Sequence, residues 1–229
     1  MQTYASYVRL LAVFLAALPI GHSVGGRTIR PVVLGDPAAA HRMLVVGCIH
    51  GNEPAGVAIV QRLVRTGAPP GTEIVAVPSV NPDGCRRGTR GNAHGVDLNR
   101  NFPANWARIG RPGSLQYSGP HPLSEPESRY AVALVEHLQP QITIWFHQPQ
   151  GVVRAWGGSI PTARRFATLA DYPYRSIAWP YGTAANWQNH RFPDAASFVV
   201  ELPPGPVPSA RVGRWVRAIR ELAVEGVRR

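Results

Sequence analysis

Two residues able to hold a metal stand three apart in His50-Gly51-Asn52-Glu53, directly after the apolar run Met43–Ile49 and before Pro54. An imidazole and a carboxylate at the exit of a strand can close on one divalent ion, and zinc takes such ligands at roughly 2.0–2.2 Å. His-x-x-Glu is a short pattern, so its meaning depends on what else converges on it. His147 follows a second apolar run, Ile142–Phe146, and Asn81 follows a third, Glu73–Pro78. Glu201 lies near the end of a fourth, Ser197–Leu202. Polar groups at the ends of several buried strands can meet on one rim of a sheet, where α/β proteins place their ligands.

The elements that must position these groups read in alternation. A turn and a strand of alternating character occupy residues 21–35, and Met43–Cys48 is a strand. Ala55–Arg65 carries Val57, Ile59, Val60, Leu63 and Val64 at helical spacing, and Glu73–Pro78 is again a strand. Strand, helix and strand at this spacing make a βαβ unit with a parallel pair. Residues 81–123 are rich in Gly, Pro and Arg and lack periodicity. A stretch of that length inside a domain is either functional or disordered. Within it, Asn81-Pro82-Asp83-Gly84 reads as a turn, and Asp97 as a residue that bonds local backbone NH groups. Ser124-Glu125-Pro126-Glu127 reads as a capping box opening a helix through Leu138. Ile160–Leu169 and Ala184–Asn189 read as helices, and Ala210–Val224 as a closing amphipathic helix. The expected fold is an α/β three-layer sandwich around a mixed, mostly parallel sheet.

Composition bounds the partners. The chain has 229 residues, enough for one sizeable core, and a formal charge of +11. All 24 basic residues are arginine. No run of five basic residues occurs, nor a basic helix with interleaved aromatics, so a nucleic-acid partner is not expected. Association with an anionic polymer such as cell-wall material, or with a lipid surface, suits the charge equally well. Leu10–Leu18 is an apolar stretch of signal-peptide length, too short for a membrane span. Residues 1–20 are therefore read as an export leader or a hydrophobic N-terminal segment, and residues 21–229 as a single catalytic domain. Export to the cell envelope is the expected location, with the cytoplasm as the alternative. Two cysteines, Cys48 and Cys85, flank the candidate segments and are either bonded or buried thiols.

Five segments now read together: HGNE (50–53), NPDG (81–84), RGTRGNAHGVDLNRNFP (87–103), WFHQPQG (145–151) and FVVELPPG (198–205). In this order they resemble the M14 zinc carboxypeptidases, in particular the small bacterial branch of murein peptide amidases. GHSVGGRTI and SGPHPLSEPES add to the likeness. The resemblance implies one zinc per chain, held by His50, Glu53 and His147 with a fourth position open. It implies Glu201 as the general base that serves the attacking water and the leaving amine. Asn99 and Arg100 match the pair that grips a terminal carboxylate, for which a planar guanidinium is suited. An upstream arginine should stabilise the oxyanion, and Arg87 and Arg90 compete for that role. Spacing to Gly95-Val96-Asp97 favours Arg90. Tyr181 falls near the family's mobile tyrosine without matching its spacing. Ala185 falls where the specificity pocket takes a side chain, which leaves Asn186 or the arginine-rich loop to read a polar substrate such as diaminopimelate. His94 and His121 lie in the long loop, within reach of substrate or merely on the surface.

The implied activity is hydrolysis of an amide beside a free carboxylate, in cell-wall peptides such as γ-D-glutamyl–diaminopimelate. Zinc deacylases of the aspartoacylase/succinylglutamate desuccinylase type share these elements and form the alternative. A catalytically silent binding protein would be expected to have lost part of the ligand set, which is complete here.

Overall fold

The apolar runs pair into one sheet. In the computed structural model, which describes residues 18–228, a small ribbon of β1 (Gly21–His22) and β2 (Thr28–Ile29) precedes the main domain. The large sheet contains β3 (Val32–Gly35), β4 (His41–Val46), β5 (Thr72–Val77), β6 (Ile142–His147), β7 (Val152–Ala155), β8 (Tyr174–Ser176) and β9 (Ala196–Glu201). Their spatial order is β3-β5-β4-β6-β9-β7-β8. The four central strands, β5, β4, β6 and β9, run parallel to one another. Antiparallel pairings join β3 to β5 and β7 to β9, so the sheet is mixed and mostly parallel, as expected.

Helices cover both faces, and this explains why the central strands are apolar along their length rather than alternating. Helix α1 (Ala55–Thr66) turns Ile59, Val60 and Leu63 onto the sheet. It shares that face with two helices numbered by chain order after α2 (Pro82–Arg87) and α3 (Pro126–Leu138). These are α4 (Ile160–Ala170) and, following α5 (Ala184–Arg191), α6 (Ser209–Glu225). The opposite face packs Leu44, Val46, Val75, Val77 and Trp145 against α3 and α5. The result is the three-layer sandwich.

Several boundaries differ from expectation for local reasons. Asn81-Pro82-Asp83-Gly84 is not a free turn but the start of α2. The Asn81 side chain accepts from Gly84 N at 2.9 Å, and Pro82 takes the first turn, where no NH is required. The capping box at Ser124 does not form. Glu125 occupies the cap position without a side-chain bond to the helix, and the buried Glu127 accepts from Val24 N and Asn92 Nδ2 instead. Strands β7 and β8 are too short to stand out in the sequence. The expected leader lies outside the described residues except for its last three. No helix among the described residues is long and apolar enough to cross a membrane.

Candidate metal centre and its pocket

The parallel register places the two groups that matter most side by side. His147, the last residue of β6, pairs in register with Glu201, the last residue of β9. In the strand order β4 lies on the other side of β6, and the chain leaving it reaches His50 four residues later. That exit is held tightly. A Cβ added to Gly51 would lie 1.9 Å from the Gly84 carbonyl carbon, so only glycine lets the loop rest on α2. Asn81 Nδ2 donates to Ile49 O at 3.0 Å and to Arg90 O at 3.3 Å, joining this loop to the segment that carries Arg90.

His50, Glu53 and His147 converge. His50 Nδ1 is 3.0 Å from Glu53 Oε1, and His147 Nδ1 is 3.1 Å from both Glu53 Oε2 and His50 Nδ1. Ligands at about 2.1 Å around a tetrahedral ion stand roughly 3.4 Å apart, so this donor set needs only a slight expansion to hold zinc. All three residues are buried, and they line a cavity of about 510 Å³ together with Glu201, Arg90, Asn99 and Arg100. Two imidazoles and a carboxylate at the wall of an open cavity have the makeup of a catalytic rather than a structural zinc site.

Asp97 orders this cluster. It is fully buried, and Oδ1 accepts from both His50 Nε2 at 2.9 Å and Asn99 N at 3.0 Å. Oδ2 accepts from Arg90 Nε at 2.8 Å. A carboxylate on the far nitrogen of a metal-ligating histidine fixes its tautomer and raises its basicity. The local turn bond was legible in sequence; the reach to His50 was not. Arg90 also donates from Nη1 to Glu53 Oε1 at 2.8 Å, which ties the ligand carboxylate to Asp97.

The charges settle accordingly. Burial opposes ionisation of Glu53, but the hydrogen bonds and charge of His147 and His50 outweigh it and hold the carboxyl well below its usual range. Burial likewise opposes ionisation of Asp97, and His50, Arg90 and Arg100 overcome it in the same direction. Burial alone would lower His50, yet Asp97 and Glu53 raise it above the ordinary imidazole value. His147 is lowered, burial being the largest cause. Glu201 is 8% exposed, and among the described residues no protein group reaches its Oε2. A buried carboxylate oxygen left this way is costly unless a proton donor is supplied from the cavity.

The other expected residues divide. Asn99 is buried, with Oδ1 accepting from Ala184 N at 3.0 Å and Nδ2 lying 3.4 Å from His147 Nε2. Arg100 donates to Asn99 O at 2.7 Å, and burial lowers its guanidinium from the ordinary value. Arg90 lines the cavity. Arg87, at the end of α2, is exposed and does not line the cavity, and Gly88 at φ 67° ends the helix there. Tyr181 is 60% exposed and does not reach the cavity; its neighbours Pro180 and Thr183 line the wall. Ala185 and Asn186 are buried in and around the α5 core and do not line the cavity. His94 bonds Glu125, His121 bonds Pro122 O, and neither lines the cavity. Cys48 and Cys85 are neighbours, as their flanking positions implied, but are free thiols with Sγ atoms 2.7 Å apart. Arg154, from β7, lines the cavity and was not anticipated.

A model of the zinc carboxypeptidase family matches residues 14–198. That span contains the three converging residues and ends just before Glu201, which the β6–β9 register supplies. Murein peptide amidase A of Escherichia coli K12 is 36% identical over 152 residues, which cover 58% of this chain and 61% of that protein. Gamma-D-glutamyl-L-diamino acid endopeptidase 1 of Lysinibacillus sphaericus is 28% identical over 255 residues, or 85% of this chain and 62% of that protein. The chain thus spans about three fifths of the length of these relatives. Among solved structures, murein-tripeptide amidase MpaA from Escherichia coli O157 superposes with a TM-score of 0.69 at 27% identity, covering 89% of each chain.

Proposed function

Because the chain belongs to the zinc carboxypeptidase family, we propose that it hydrolyses an amide bond beside a free carboxylate in murein peptides, with γ-D-glutamyl–diaminopimelate as the target bond. The observation that carries this reading is the meeting of His50, Glu53 and His147 at the wall of a cavity, with Glu201 in register beside His147 and lining the same cavity. The names of the two murein-peptide relatives support the substrate class.

When bound, one zinc per chain supplies Lewis-acid activation of the water and of the scissile carbonyl. Glu201 takes the proton of the attacking water and delivers it to the leaving amine. Its position at a strand end fixes the carboxylate, while burial keeps competing solvent away. Asp97 holds His50 in the tautomer that presents Nδ1 to the cluster. Arg90 lines the cavity with Nε engaged by Asp97 and Nη1 by Glu53, and its remaining donors stabilise the developing oxyanion. Arg100 and Asn99 receive the terminal carboxylate and so choose the bond to be cut. Activity outside the cytoplasm belongs to this reading, supported by the apolar stretch Leu10–Leu18.

Mass spectrometry of zinc-loaded protein incubated with murein tripeptide, L-Ala-γ-D-Glu-diaminopimelate, tests the proposal. Release of free diaminopimelate and the L-Ala-D-Glu dipeptide is expected. An intact tripeptide together with cleavage of N-acyl amino acids would replace it with the deacylase reading.

A further inference from the structure

Arg154 interrupts an apolar strand and emerges on the catalytic side of the sheet. In the antiparallel β7–β9 pairing it stands opposite Val199, and Val152 stands opposite Glu201, so Arg154 shares the face of the base. Its chain neighbours Val153 and Ala155 turn the other way, into the core under α4 and α6. In the strand order β4-β6-β9-β7 it lies beyond Glu201, on the opposite side of the base from the metal ligands. The cavity wall around it is formed by Trp156, Ile177, Pro180 and Val199.

The guanidinium is poorly matched there. Nη1 donates to the neutral Gln150 Oε1 at 2.7 Å, and its approach to Glu201 Oε1 is 4.0 Å, longer than a hydrogen bond. Nε is buried, and no protein group among the described residues accepts from it. A cation in such a wall is costly unless an anion is brought to it. The terminal carboxylate has its own receptors in Asn99 and Arg100, which come from a different segment of the chain. Arg154 therefore has donors to spare for a second anion.

We infer that Arg154 selects a substrate whose released residue carries a second carboxylate at the far end of its side chain. The inference rests on the proposed amidase reading and adds to it the part of the released residue that is recognised. The apolar wall suits a run of methylenes, and Arg154 suits the carboxylate at its end. Diaminopimelate has that group; lysine is the same side chain without it.

The test compares zinc-loaded wild-type protein with R154A, R154Q and R154K on L-Ala-γ-D-Glu-meso-diaminopimelate and L-Ala-γ-D-Glu-L-Lys. Wild-type kcat/KM should favour diaminopimelate by about 10- to 100-fold, the scale of one charge-assisted hydrogen bond. R154A and R154Q should bring the ratio close to one, chiefly through KM, and R154K should retain part of it. Each ratio is taken within one preparation, so loss of folded or metal-loaded protein cannot imitate the effect. Equal cleavage of both peptides by wild type would overturn the inference while leaving the proposed function standing. So would an R154A ratio equal to that of wild type with only a shifted pH profile, because Arg154 would then serve merely as a counter-ion to Glu201. Cleavage of neither peptide would overturn both readings.

Discussion

Replacing Asp97 with asparagine removes one charge and changes almost nothing in shape, and it bears directly on how the centre is held. Asp97 receives three donors: His50 Nε2 at 2.9 Å, Asn99 N at 3.0 Å and Arg90 Nε at 2.8 Å. Alanine would strand two buried charge-assisted donors worth about 1.5–3 kcal/mol each. A large share of a total stability of ~5–15 kcal/mol would be at risk, and loss of folding would obscure any effect on the metal. Asparagine can still offer an oxygen to His50 and to Asn99 N. It turns its amide toward Arg90 Nε, where two donors then face each other. The expected cost to the metal-free protein is about 2–3 kcal/mol, the scale of losing one charged hydrogen bond. Zinc affinity should fall about 10- to 100-fold, as is usual when the carboxylate behind a ligating histidine is lost. Denaturant unfolding with a chelator present measures the first quantity, and competition with a chromophoric chelator at neutral pH measures the second. A zinc affinity within about threefold of wild type, in a variant that unfolds cooperatively, would refute the reasoning, since His50 would then need no charged partner.

Three further outcomes follow from the same geometry. In metal-normalised assays R90A should lose about 100- to 1000-fold in kcat, as when an oxyanion donor is removed, whereas R87A should stay within about twofold. Gly51→Ala drives a Cβ into the Gly84 backbone and should destabilise the protein by about 1–3 kcal/mol and weaken zinc binding, both read by chelator-controlled unfolding. For the metal-free protein, the carboxyls of Glu53 and Asp97 are depressed below their ordinary values of 4.5 and 3.8. Their contribution to stability is therefore complete above those values and lost as pH falls through the lower folded ones. Tm should drop steeply below about pH 4, and D97N should show a shallower fall in that range.

The cluster able to hold a metal and its neighbour Glu201 were legible because His50, His147 and Glu201 each come at or near the end of an apolar run long enough to mark a buried strand. A parallel sheet brings such strand ends to one rim. Helices α1 and α6 were legible for a similar reason, since their apolar residues recur at the helical period. What sequence could not supply was contact across the long segment 81–123. Asp97 looks like any turn aspartate until the fold carries it to His50, 47 residues away. Asn81 looked like turn composition, yet its amide connects two loops and caps a helix. Arg154 was hidden because β7 has only four residues and no periodicity to place its face. Tyr181 lies close in sequence to the cavity residues Pro180 and Thr183, but the turn exposes it to solvent, which spacing alone does not reveal.

The central claim is that Glu201 acts as a base beside a zinc ion held by His50, Glu53 and His147. The most direct test measures zinc content by elemental analysis and tripeptide hydrolysis on the same samples of wild type and E201Q. Expected are about one zinc per chain in both proteins, activity in wild type that a chelator removes and zinc restores, and hydrolysis by E201Q reduced by at least ~100-fold. Full activity in E201Q, or in wild-type protein stripped of metal, would contradict the claim.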